Sequence, residues 1–166
     1  MEAAAESALW EASLRPLGEQ DRTAVFSTLC EPAFALGVET IYEGYLLHYG
    51  RARLFAPVDA DTALLLGDYL YAHGLVRISQ TGSVDAVNDL AELISLCAQA
   101  RADRRPGEAE AWAATAALLG RSGPLAAARQ RLREDGDATE LAELARNVAG
   151  VVAVERACAA HDLRVG

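Results

Sequence analysis

Two glutamates one helical turn apart, Glu39 and Glu43, have the spacing in this sequence that best suits metal chemistry. Side chains at positions i and i+4 of a helix share one face, and Mg²⁺ binds where several carboxylate oxygens converge. Two carboxylates form a small ligand set, so the sequence favours a solvated helix face and leaves a metal site as the weaker alternative. A third carboxylate, Asp68, lies inside an apolar run, where it needs a partner. We expect it to hydrogen-bond to a neighbouring helix.

Other catalytic chemistry finds little support in the residue pattern. The histidines His48, His73 and His161 show no metal-ligand spacing, and His73 is expected to be a hydrogen-bonded core residue. No nucleophile with a matching base can be assembled, and no glycine-rich phosphate loop follows a strand. All 15 basic residues are arginine, which excludes lysine chemistry such as Schiff-base formation.

The composition restricts the partners and the compartment. The net charge of −9 argues against a nucleic-acid binder or a basic membrane surface. Three cysteines far apart in the sequence suit reduced thiols in the cytoplasm. The acidic N-terminal residues lack the basic start of a signal peptide, and no apolar run is long enough to span a bilayer. We therefore expect a cytoplasmic protein with no transmembrane segment.

A long apolar stretch over residues 63–82 is the element expected to position these side chains. It is apolar on nearly every side, which is typical of a helix buried in a bundle. Gly67 and Gly74 lie seven residues apart on one face, and Tyr71 and Ile78 continue that row. Small residues let another helix approach closely. The row Gly67, Tyr71, Gly74 and Ile78 is therefore predicted to be an interface, with a partner or with a second copy of the chain.

The remaining sequence predicts an all-α helical bundle in a single domain over residues 1–166, with no strand pattern and no repeat. The 35 alanines favour helices with close packing. Asp59 or Asp61 is expected to cap the central helix, and Ser83 the next one. Asp137 and Glu140 have the spacing of a capping box. Helices are predicted over residues 2–14, 21–29, 32–49, 63–79, 84–102, 108–119, 125–134 and 137–161.

The segment Gly67-Asp68-Tyr69-Leu70-Tyr71-Ala72 resembles the Gly-Asp-x-Leu helix of the trans-polyprenyl diphosphate synthases. Counting back without gaps, Gly50 falls on the glycine of that family's Arg-Arg-Gly motif, and His48 falls within its arginine pair. The segment from Glu39 to Glu43 then falls on the first aspartate-rich motif, Asp-Asp-x-x-Asp. The register agrees, but most of the chemical groups differ.

The later motifs are also altered. Thr115 lies in a segment similar to the family's Lys-Thr-Ala-Ala-Leu-Phe, with Ala114 in place of the phosphate-binding lysine. The second aspartate-rich motif is missing, since Glu155 and Arg156 stand where carboxylates are expected. The degenerate motif positions are Glu39, Glu43, His48, Gly50, Gly67, Asp68 and Thr115.

The resemblance implies a truncated isoprenoid synthase fold. It also implies a non-catalytic subunit of a heteromeric polyprenyl diphosphate synthase, which regulates its partner or modulates product chain length. On this interpretation the chain needs no cofactor of its own, no residue is catalytic, and Mg²⁺ belongs to the catalytic partner. Two alternatives remain open. One is a residual magnesium-dependent prenyl diphosphate enzyme using Glu39, Glu43 and Asp68. The other is a helical interaction protein unrelated to prenyl metabolism.

Overall fold

The computed structural model describes residues 2–121 and 123–165, and within these ranges the chain is an all-α bundle. The described residues contain no strand; a lone antiparallel bridge joins Leu14 to Phe55 and ties the end of the first helix to the loop before the third. Among the described residues, no helix has the length and apolarity needed to cross a membrane. The eight α-helices are α1 (Glu2–Ser13), α2 (Ala35–Tyr49), α3 (Ala60–Ser79), α4 (Val84–Ala102), α5 (Glu108–Ala117), α6 (Leu125–Asp135), α7 (Thr139–Ala149) and α8 (Val151–Val165).

One predicted helix is absent, and another is divided in two. Residues 21–29 form a loop that ends in a 3-10 turn at Ser27–Leu29. The Glu39 side chain accepts hydrogen bonds from backbone N–H groups of this loop and so replaces helical hydrogen bonding there. The predicted last helix is divided in two at Gly150, whose φ of +87° lies in a region that favours glycine. Helix α7 ends before that glycine and α8 begins after it.

The predicted caps explain why α3 and α4 begin where they do. The Asp59 carboxylate accepts a hydrogen bond from the Thr62 N–H at 2.7 Å, and the Ser83 hydroxyl accepts one from the Ala86 N–H at 3.2 Å. Each bond satisfies a backbone donor that has no partner within the helix. Asp137, predicted to form a capping box with Glu140, instead accepts a hydrogen bond from the Thr139 N–H at the start of α7.

The most buried helix is α5, not α3. Every residue from Ala111 to Ala117 is buried, and Trp112 lies among the aromatic rings of Phe26, Tyr42 and Tyr45. The expectation that α3 is buried on nearly every side is wrong, because one stripe faces inward and the opposite face is exposed. The exposed fractions are 54% for Leu64, 61% for Leu65 and 53% for Val76.

Helices α2 and α3 pack as a close antiparallel pair along a row of glycines. A Cβ atom added to Gly37 would lie 2.5 Å from Ile78 Cδ1, and one added to Gly74 would overlap Ile41 Cγ1. A Cβ at Gly67 would lie 2.6 Å from His48 Nε2. Each glycine therefore provides the space that a side chain of the facing helix fills.

The predicted partner interface is consequently a contact inside the chain. Gly67, Gly74 and Ile78 are buried against α2, and the Tyr71 ring stacks on His48 with their centroids 5.0 Å apart. The sequence periodicity located a close helix contact correctly. It assigned that contact to the wrong helix, because α2 also carries glycines, at Gly37 and Gly44, with matching spacing.

Candidate functional site

The carboxylates of Glu39 and Glu43 do lie on one face of α2, where both contact the side chain of Arg53. Arg53 Nη1 is 2.6 Å from Glu39 Oε2, and Arg53 Nε is 2.9 Å from Glu43 Oε2. Arg53 lies in the loop that follows α2, and this loop folds back over the helix. We refer to these three residues as the buried triad. The expected solvated face is wrong, since Glu43 and Arg53 are both buried.

The outer carboxylate oxygens of the triad are also occupied. Glu39 Oε1 accepts hydrogen bonds from the backbone N–H groups of Val25 and Ser27, each at 2.9 Å. Glu43 Oε1 accepts one from the Leu54 N–H at 2.7 Å. All four carboxylate oxygens therefore have protein donors, which is the condition for keeping buried charges in a fold.

Arg53 is held by further acceptors. Its Nη1 donates to the Thr23 carbonyl at 2.8 Å, and its guanidinium lies 5.1 Å from the centre of the Tyr42 ring. Burial alone would lower the pKa of Arg53, but the Glu39 and Glu43 carboxylates outweigh burial and raise that pKa above its ordinary value. The arginine is thus a permanent cation in the position where a metal ion would be needed.

This geometry bears on the weak metal candidates, Glu39 and Glu43. A magnesium ion at these carboxylates would have to displace Arg53 and the backbone donors. Across residues 2–121 and 123–165, no group of three or more His, Cys, Asp or Glu side chains is arranged to hold a metal ion. The two glutamates therefore act here as structural ligands of a guanidinium.

Asp68 pairs with His48 at the surface. The distance from Asp68 Oδ1 to His48 Nε2 is 3.1 Å, and the Asp68 side chain is 68% exposed. The expected partner on a neighbouring helix is present at ion-pair distance, but His48 Nε2 has no hydrogen-bond partner within the described residues, so the expected hydrogen bond is not formed. The expected burial of the carboxylate is also wrong. The position belongs to the outer edge of α3, away from the buried triad.

The last two motif positions have structural environments of their own. Gly50 follows the last residue of α2, and a Cβ there would lie 2.8 Å from the Arg164 carbonyl oxygen. The absence of a side chain at Gly50 therefore leaves room for the end of α8. Thr115 lies in the core, where its hydroxyl accepts a hydrogen bond from Arg129 Nη2 at 3.2 Å. Arg129 also forms a buried ion pair with Asp89 at 3.1 Å. The structure brings Glu39 and Glu43 together at Arg53 and brings His48, Gly67 and Asp68 together at a second place between α2 and α3. Gly50 and Thr115 belong to neither group.

An apolar groove runs beside the buried triad, between α1, α2 and α3. Its volume is about 490 Å³, and Glu39, Glu43 and Arg53 are among the residues that line it. The apolar side chains that form its walls are Trp10, Leu14, Leu17, Leu36, Leu54, Phe55 and Leu70, while Gln20, Asp21, Arg22, Thr40, His73 and Arg77 supply further polar groups. This combination of an apolar wall and a few polar groups is typical of a small-molecule site.

The groove and Arg53 are the features that sequence reasoning missed. The signal for Arg53 was an arginine between apolar neighbours, Ala52 and Leu54, shortly after two glutamates. No local pattern pointed to the groove, because its walls come from three separate helices and the loops between them.

A second hollow of about 700 Å³ lies at the start of α5 and contains His161 and Cys158 from α8. His161 Nδ1 lies 3.1 Å from the Tyr42 hydroxyl. Burial raises the pKa of the Cys158 thiol to about 11, so it is a neutral thiol near pH 7. The charged side chains here are one arginine, Arg146, and the carboxylates of Glu108, Glu110, Asp137, Glu143 and Asp162.

The buried His161 should make folding stability depend on pH. Burial, with the positive charges of Arg101 and Arg164, lowers its pKa to about 4 from an ordinary value of 6.5. Between these values the unfolded chain binds a proton that the folded chain does not, so stability falls as the pH falls from about 6.5 to 4. We expect urea titrations to show a loss of about 2 kcal/mol between pH 7 and pH 5 from this residue.

The matched variant is His161→Phe, which keeps an aromatic ring in the cluster. Its stability should change less between pH 7 and pH 5 than that of the wild type, even where it is less stable at both. An equal loss in the two proteins would show that another group carries the dependence.

Comparisons with models of known protein families, with curated proteins and with solved structures find no match to this chain. The resemblance to polyprenyl diphosphate synthases therefore rests on the motif residues described above.

Proposed function

We propose that this chain is a non-catalytic subunit of a heteromeric polyprenyl diphosphate synthase, which regulates its partner or modulates the length of its product. The observation that carries the proposal is the buried triad. At the positions that correspond to the first aspartate-rich motif, both carboxylates are paired with Arg53 and have all their oxygens engaged. Diphosphate transfer relies on metal ions and cationic groups for charge stabilisation, and these glutamates are committed elsewhere.

The alternative of a residual magnesium-dependent enzyme is less well supported. It requires Glu39, Glu43 and Asp68 to act on one metal ion. The first two face the buried triad, whereas Asp68 is exposed and paired with His48 on another part of the surface.

The proposed contact with a catalytic partner cannot use the glycine row, which is covered by α2. The outward face of α3 is the side available, and it presents Leu65, Ala72 and Val76 at helical spacing. Exposed apolar side chains at such spacing suit packing against a helix of another subunit. The proposal therefore places the synthase on this outward face.

Co-expression with a synthase that has both aspartate-rich motifs intact tests the proposal. We expect the two chains to co-purify and Leu65→Glu to weaken their association by about tenfold or more, because it places a charge in an apolar contact. The free chain should keep its stability to within about 0.5 kcal/mol, since Leu65 is exposed. The matched control is Val152→Glu, a similar change at a position of α8 that is 70% exposed; it should leave association intact.

The same preparations should be assayed for condensation of isopentenyl diphosphate with an allylic diphosphate in the presence of Mg²⁺. We expect product from the pair and none from the isolated chain. Product formed by the isolated chain at an ordinary enzymatic rate would favour the residual enzyme. Failure to associate with any synthase offered would favour a helical interaction protein outside prenyl metabolism.

A further inference from the structure

The apolar groove has the size and chemistry of a ligand site that the proposed function does not use. Its volume of about 490 Å³ falls within the range of small-molecule pockets, roughly 300–1,000 Å³. Leu14, Leu17 and Leu36 line it although they are 38%, 77% and 61% exposed. Binding of an apolar group in this space is favourable, because it removes these apolar side chains from water.

Some charged side chains around the groove have an oppositely charged partner in the protein, and others do not. The carboxylates of Glu39 and Glu43 are held by Arg53, and Asp21 is held by Arg164 at 2.5 Å. The acidic groups that line the groove are therefore paired within the protein.

The two other cations that line the groove, Arg22 and Arg77, have no carboxylate partner among the described residues. Arg22 donates only to the neutral side chain of Gln20, with distances of 3.2 Å and 2.8 Å. This charge pattern selects a ligand with an anionic group.

Arg77 provides the more specific signal. Its Nε is buried and has no hydrogen-bond partner among the described residues. The protein gives Arg77 no acceptor among the described residues, so a ligand that reaches its guanidinium from the groove would supply one and reduce the cost of an unpaired donor. A carboxylate suits a guanidinium best, because its two oxygens accept parallel hydrogen bonds from two of the guanidinium N–H groups.

We propose that the apolar groove binds a small amphiphile with one hydrocarbon chain and a single carboxylate head. The chain lies against Trp10, Phe55 and the leucines of the wall, and the carboxylate pairs with Arg77. Arg22 adds a second positive charge to the lining. The inference does not depend on association with a synthase, since it uses only groups of this chain.

The test is calorimetric titration of the full chain with decanoate and, separately, with 1-decanol, which has the same chain length and no charge. We expect saturable one-to-one binding of decanoate, with 1-decanol weaker by about tenfold or more. Arg77→Met should reduce decanoate affinity by about tenfold and leave 1-decanol affinity unchanged. Arg156→Met removes the same charge from an exposed position outside the groove and should change neither affinity.

A second pair of variants tests the location. Ala24 is exposed and lines the groove, so Ala24→Trp should fill it and abolish binding of both ligands while the fold is kept. Ala127→Trp places the same side chain on an exposed position of α6 and should bind as the wild type does.

Several results would overturn the inference. These are equal affinities for decanoate and 1-decanol, no saturable decanoate binding below about 1 mM, or unchanged binding by Ala24→Trp. Loss of synthase association in Ala24→Trp, with no decanoate binding to the wild type, would assign the groove to a helix of a partner protein instead. Failure of the chain to associate with a synthase would leave the expected ligand results unchanged.

Discussion

Replacing Arg53 with methionine is expected to lower the free energy of unfolding by about 3–5 kcal/mol, because it leaves two carboxylates beside each other without their cation. Glu43 is buried, and Glu39 retains only its backbone donors once the guanidinium is removed. Methionine replaces the aliphatic part of arginine and carries no charge, so the loss should come mainly from the unpaired charges. Urea or thermal unfolding near pH 7 measures it.

Two controls separate charge pairing from packing. The triple variant Glu39→Gln, Glu43→Gln, Arg53→Met removes all three charges and should recover part of the lost stability, since no buried charge remains unpaired. Arg121→Met breaks an exposed pair with Glu31, in which both side chains are more than half exposed, and should cost no more than about 1 kcal/mol. A triple variant that is less stable than Arg53→Met would contradict the charge argument.

Replacing Gly74 with leucine should cost about 3 kcal/mol, at the upper end of the range for overpacking. The new side chain would overlap Ile41 from its first carbon, and the Gly37 carbonyl oxygen lies 3.1 Å from the same Cβ position. Since the obstruction includes backbone of the facing helix, α2 and α3 would have to separate. The effect should appear in the isolated chain as a lower melting temperature, with no partner present.

Gly18→Leu is the matched control, because a Cβ at Gly18 meets no atom within 4 Å. It should leave the melting temperature nearly unchanged. The outcome against this prediction is a Gly74→Leu chain with wild-type stability that has lost association with a partner, since that would return the glycine row to an external interface.

The helical content and several helix starts could be predicted because they depend on local interactions. Asp59 and Ser83 each bond to a backbone N–H three residues further on, so their signal lies within one turn of sequence. The glycine spacing in α3 likewise predicts a close contact with another helix, and α3 does pack closely on α2. Sequence periodicity does not identify the facing helix, however, and the glycines of α2 were not matched to it.

The candidate site was harder to predict because it is built from distant segments. Arg53 reaches Glu39 and Glu43 only because the loop after α2 folds back over that helix. The exposure of Leu64, Leu65 and Val76 depends on which side of α3 the rest of the bundle covers. Neither the loop's path nor the uncovered side of α3 can be read from the sequence of a single helix. The apolar run therefore predicts a helix buried on every side, although one face of α3 is exposed.

The position of α8 has a consequence for how the bundle is assembled. The Tyr42–His161 hydrogen bond joins residues 119 apart in the chain, and the Arg164–Asp21 pair joins residues 143 apart. The α2–α3 pair, by contrast, is local and can form as soon as both helices have left the ribosome. During synthesis the part of α2 that meets His161 therefore stays uncovered until nearly the whole described chain has been made. Contacts of such long sequence separation form late and slow the final step of folding.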